Sequence, residues 1–148
     1  MEERLDTKNI GLRGVKVADI RISDVDGEKG VLIYRGFNIC DLVTFSTFEE
    51  VSFLLLNDRL PTHEELKRFQ DELASGRQVP EPVLEFMRRL PQSTHPMDVL
   101  RTGCSILGNV LPEKEDQNIQ SARDIVDRLI AGFGSMLLYW WHFSQNGR

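Results

Sequence analysis

The sequence predicts a mainly α-helical chain that opens with a small β-hairpin. Three observations carry this. Strand-like alternation is confined to residues 15 to 34, helix-start signals recur from residue 46 onward, and each is followed by apolar residues at helical spacing. The chain has 148 residues, enough for a real hydrophobic core. Its 41% hydrophobic and 28% charged residues match ordinary globular proteins. A net charge of -5 and the lack of a basic stripe exclude a nucleic-acid or anionic-membrane surface as the expected partner.

Residues 1 to 9 read as a lead-in, and residues 10 to 148 as one structural portion. Met1-Glu2-Glu3-Arg4 is acidic and has no apolar core, so it does not read as a signal peptide. In the hairpin, Val17, Ile20, Ile22 and Val25 form the first arm and residues 31 to 34 the second. Asp26-Gly27 and Gly30 supply the turn, because Asp and Gly tolerate the left-handed conformations such loops use. A lone hairpin is marginal in water, so it must pack on the helices that follow.

The helices are expected between about residues 46 and 146. Ser46 and Glu49 fit an S-x-x-E capping box, and Phe48, Val51 and Leu55 give the inner stripe behind it. Thr62 and Glu65 repeat the device; Leu66, Phe69 and Leu73 mark the next inner face, and Gly76 stops that helix. Pro80 and Pro82 open a short helix running to Leu90, with Arg88 and Arg89 suited to its negative end and Pro91 terminating it. Pro96 fits the first turn of the next helix, Asp98 complements its dipole, and Met97, Leu100, Cys104 and Leu107 form one face. Gly103, Ser105 and Gly108 are small enough to admit a second helix. Residues 112 to 120 read as a loop. The last helix then carries Ile125, Leu129, Phe133, Met136 and Trp140 on one side to about Phe143, with Gly132 and Gly134 suggesting tight packing or a bend. Its apolar run, residues 129 to 143, is shorter than the roughly 20 residues a membrane span needs.

Local chemistry offers no active site. His63, His95 and His142 each stand alone: the first beside Glu64 and Glu65 in a helix first turn, the second before a helix-starting proline, the third at the end of an aromatic run. Solvation, capping and helix-end packing respectively account for them. No H-E-x-x-H or C-x-x-C occurs, so no metal ligand is assigned. Cys40 and Cys104 have no partner at ligand spacing and read as reduced, packed thiols of a cytosolic protein. Gly11-Leu12-Arg13-Gly14 and Gly132-Phe133-Gly134 match neither a dinucleotide nor a phosphate loop, and Ser23, Ser46 and Ser105 lack a nucleophile-elbow context. No catalytic, cofactor-binding or metal residue is named, and no cofactor.

The segments Asp26-Gly27-Glu28-Lys29-Gly30-Val31-Leu32-Ile33-Tyr34-Arg35-Gly36, Ser46-Thr47-Phe48-Glu49-Glu50-Val51, Leu60-Pro61-Thr62 and His95-Pro96-Met97-Asp98-Val99-Leu100-Arg101-Thr102 together resemble the opening of bacterial citrate synthases. The resemblance covers roughly residues 9 to 131. It implies the N-terminal portion of a helical large domain, from a dimeric enzyme joining acetyl-CoA or a related acyl-CoA to oxaloacetate. In that family a histidine and an aspartate enolise the thioester and a second histidine polarises the oxaloacetate carbonyl. Those motifs, and the main CoA-contacting loops, match no position here, so the resemblance implies a chain incompetent by itself. It also implies that helices about 96–110 and 117–143 pack across a dimer interface, as a homodimer or with a citrate synthase C-terminal portion. The resemblance extends to 2-methylcitrate synthases and to citryl-CoA lyases, and a non-catalytic dimerisation or partner subunit is the alternative role. Leu129 to Gly134, and Trp140-Trp141, depart from the family pattern.

Overall fold

A computed structural model describes residues 20–112 and 118–147 of the chain. These fall into two compact units, Met1–Thr62 and His63–Arg148, each taken by itself.

The first unit holds a three-stranded antiparallel meander, β1 (Ser23–Asp26), β2 (Val31–Tyr34) and β3 (Phe37–Asn38), in the order β1-β2-β3. Ser23 pairs with Tyr34 and Asp26 with Val31; on the other edge Tyr34 pairs with Phe37. The first turn closes as predicted. The Asp26 carboxylate accepts the Lys29 amide at 3.0 Å and the Glu28 amide at 3.2 Å, and Gly30 takes a φ of +66°. The second turn was not anticipated. Arg35 and Gly36 both have positive φ, 47° and 88°, as a two-residue hairpin turn of matching twist requires. The first arm begins only at Ser23, with Ile20 and Ile22 exposed ahead of it, and its expected portion before residue 20 lies outside the described residues.

Asn38 caps α1 (Ile39–Phe45), its side chain accepting the Cys40 amide at 2.9 Å. Sequence reasoning assigned no helix here. The capping box of α2 (Phe48–Asn57) sits one residue later than expected: Thr47 accepts the Glu50 amide at 3.2 Å and Glu50 accepts the Thr47 amide at 2.7 Å. Ser46 is already committed as the C-cap of α1, its amide reaching Leu42, so Thr47 takes the extended cap position.

The unit is drawn together by Arg35. Its guanidinium donates to the Leu55 carbonyl at 3.0 Å and pairs with Asp58 at 2.6 Å, clasping the meander to the C-terminal end of α2. A cation there meets the negative end of the helix dipole, and the bond satisfies a carbonyl in the helix's last turn.

The second unit is helical: α3 (His63–Ser75), α4 (Glu81–Met87), α5 (Pro96–Val110) and α6 (Ile119–Asn146). Phe69 and Leu73 bury the inner face of α3, and the Arg123 guanidinium lies 5.7 Å over the Phe69 ring. Helix α4 ends at Met87, three residues before the expected limit. Arg88 turns back from its end to pair with Glu81 at 2.7 Å and to donate to the Tyr139 hydroxyl. The core is built by Val83, Met87, Val99, Leu107, Met136 and Trp140.

The inner face of α5 is Val99, Gly103 and Leu107, rather than the stripe beginning at Met97, which is 64% exposed. Gly103 sets this rotation. A Cβ there would come within 2.6 Å of the Met87 methyl and 3.2 Å of the Met136 sulfur, so two long side chains fill the space the glycine leaves. On α6 the residues buried are Ala131, Gly132, Met136 and Trp140, and the helix runs on to Asn146, capped at its start by Asn118. Neither Gly132 nor Gly134 meets a neighbour where a Cβ would stand, so tight packing is not the reason for them.

Candidate functional site

The three histidines are dispersed. His63 is exposed at the start of α3. His95 caps α5, its Nδ1 accepting the Met97 amide at 3.2 Å. His142 is exposed near the end of α6. His63 and His95 have the surface and capping places expected of them, whereas His142 is exposed rather than packed at the helix end. Among the described residues no group of three His, Cys, Asp or Glu side chains could hold a metal ion. Cys40 is exposed and Cys104 half-buried, both free, so Cys40 is not the packed thiol expected. A concavity of about 690 Å³ runs along α3 past His63, Lys67, Arg68 and Asp71. It is the open flank of one helix, with Lys67 and Asp71 paired at 2.9 Å. It encloses no space for chemistry.

What the second unit does present is an exposed apolar stripe on α6 and small exposed residues, with Met97, on α5. On α5, Met97, Ser105 and Gly108 are exposed, and a Cβ at Gly108 would have open space above it. On α6, Gly134, Leu138 and Trp141 follow one another at helical spacing, with Leu138 59% and Trp141 50% exposed. A small residue at the head of such a stripe lets another backbone come close. Of the three small residues predicted to admit a second helix, Gly103 is used inside the chain; Ser105 and Gly108 are open. In the first unit, Val43, Phe45 and Phe48 are also exposed, around the α1–α2 junction.

Residues 11–148 match the family described as "Citrate synthase, C-terminal domain". The chain belongs to the citrate synthase family. It is 39% identical over 137 residues to the 2-methylcitrate synthase of Shewanella oneidensis, covering 93% of this chain and 36% of that protein. It is 38% identical over 127 residues to the citrate synthase of Deinococcus radiodurans, covering 86% of this chain and 34% of the relative. The crystal structure of citrate synthase from Thermotoga maritima superposes with a TM-score of 0.79 at 32% identity, covering 92% of this chain and 35% of that one. The chain therefore spans about a third of the length of these relatives. The mainly helical fold with a small antiparallel sheet is that of the family. Among the described residues no helix is long and apolar enough to cross a membrane.

Sequence reasoning missed Arg35. Its signal was the dipeptide Arg35-Gly36 between two apolar runs, a two-residue hairpin turn that reads clearly once the third strand is known.

Proposed function

We propose that this citrate synthase-family chain is the N-terminal portion of the large domain of an acyltransferase that condenses an acyl-CoA with oxaloacetate. By itself it is catalytically incompetent. In this reading it contributes a capped, pre-packed helical scaffold, and the outward faces of α5 and α6 join it to a second copy or to the remainder of such an enzyme. The observation that carries the reading is the pairing of a family match over nearly the whole chain with an apolar stripe left open on α6, beside the exposed small residues Ser105 and Gly108 of α5. Exposed apolar surface of this kind marks association sites. Relatives named for citrate and for 2-methylcitrate synthesis both support the reaction class.

The test is thiol release from acetyl-CoA in the presence of oxaloacetate, with rigorously purified chain. No release above the protein-free rate is expected from the chain alone, and turnover dependent on oxaloacetate contradicts the proposal. Intact-mass measurement of the endogenous polypeptide distinguishes the settings. A product far heavier than 17.0 kDa places these residues in a single longer enzyme, whereas a product at that mass makes the chain a separate subunit.

A further inference from the structure

Between α5, the middle of α6 and the linker joining α3 to α4 lies a cavity of about 200 Å³. Val79, Leu107, Gly132 and Met136 give it apolar walls, and Gln78 and Arg128 are the polar side chains that reach it. Gly132 explains why it exists. This residue is buried, yet a Cβ built on it would meet no heavy atom within 4 Å. Any larger residue at this point of α6 would project into the open space of this partly open cavity, which the bare glycine helps to form.

Arg128 gives the cavity its chemistry. One N–H of its guanidinium donates to the Leu111 carbonyl at 2.9 Å, closing the C-terminal end of α5. A guanidinium carries five N–H donors, and among the described residues no other hydrogen bond or ion pair engages this one. The carboxylates nearest to it along α6 are committed elsewhere. Asp127 is held by Arg123 at 3.0 Å and Asp124 accepts from Gln120 at 3.1 Å. A planar cationic fork with free donors beside a small apolar cavity matches a carboxylate bearing a short hydrocarbon. An apolar cavity of ~150 Å³ is enough for benzene, so this one has room for a somewhat larger ring or chain.

We propose that this cavity is a binding site for a small apolar carboxylate, its hydrocarbon over Gly132 and its headgroup on Arg128. The site is separate from the outward faces of α5 and α6, and stands or falls independently of the acyltransferase reading.

The probe is sodium octanoate, titrated into the full ¹⁵N-labelled chain, with 1-octanol as the neutral control. Octanoate should shift the Leu111, Arg128 and Gly132 amides saturably, and octanol should bind at least tenfold more weakly. Arg128→Met should bring octanoate down to the affinity of octanol. Gly132→Leu should abolish binding of both by filling the cavity. Gly132→Ala, which the open space admits without rearrangement, should weaken binding at least threefold and guards against a Leu variant that fails to fold. Unmoved amides on octanoate addition, equal affinity for octanol, or binding indifferent to Arg128→Met and Gly132→Ala would each overturn the assignment.

Discussion

The two units of this chain are held by different physics. In the second, the large side chains Trp140, Met87 and Met136 are buried against Val83, Val99 and Leu107 in one contiguous apolar cluster. In the first, the buried apolar residues among those described are Leu42 and Leu54, and polar groups do much of the joining. Those groups are Arg35 across to α2, Asn38 and Thr47 at the two helix starts, and Asp26 in the turn. An apolar core spreads its stabilisation over many contacts, so no single hydrogen bond decides it. A polar clasp concentrates stabilisation in a few bonds, each of which leaves a partner wanting when it is removed.

That contrast should break first at Trp140. Replacing it with Ala empties the centre of the helical unit and should cost ~3–5 kcal/mol, read as a lowered urea midpoint for the helices of residues 63–147. An unchanged midpoint would mean the cluster is not the seat of stability. Next comes Arg35→Asn, which keeps a residue tolerant of positive φ but removes the arms to Leu55 and Asp58. About 1–3 kcal/mol should be lost, concentrated in the first unit as faster hydrogen exchange of the β2–β3 and α2 amides. Uniform acceleration across both units would contradict a local clasp. A smaller effect separates the two candidate caps of α2. Thr47→Ala should cost about 1 kcal/mol, and Ser46→Ala well under half of that, because only Thr47 accepts the Glu50 amide. Equal losses in thermal unfolding would refute this cap assignment.

The subtlest effect is one of pH. The Lys29 ammonium, then the Lys29 amide and less so the Glu28 amide, hold the Asp26 carboxyl below its ordinary 3.8. A carboxyl lowered in the folded state contributes stability that is present above its unfolded pKa and is lost as pH falls through the folded one. The first turn should therefore loosen only below pH 3.8, as followed by the Glu28 and Lys29 amide shifts. A transition at or above that pH would show that the turn does not favour the ionised form.

How much of this was legible in the sequence depended on how strongly each element was overdetermined. The start of helix α5 was legible because Pro96 fixes it and a long apolar pattern follows. Helix α1 was missed because its seven residues bury only Leu42 while Val43 and Phe45 point outward, leaving no periodicity to detect. The α2 cap was placed one residue early because Ser46-Thr47-Phe48-Glu49-Glu50 satisfies the box pattern in two registers. Only the C-cap role of Ser46 decides between them. For α5 the face was misjudged since apolar residues occur on several of its sides. A glycine, Gly103, lies on the buried face because Met87 and Met136 fill the space beside it. The open stripe of Gly134, Leu138 and Trp141 was hidden for the same reason: an apolar helix does not announce which of its sides the chain itself covers.

That stripe carries the homodimer form of the central proposal, association of two copies through α5 and α6, and sedimentation equilibrium tests it most directly. The chain and its Leu138→Glu/Trp141→Glu variant would be compared over a range of concentrations, with circular dichroism confirming equal helix content. The account predicts reversible self-association of the unmodified chain and a monomeric variant of undiminished helicity. An unmodified chain that stays monomeric throughout, or a variant that associates equally well, would contradict it.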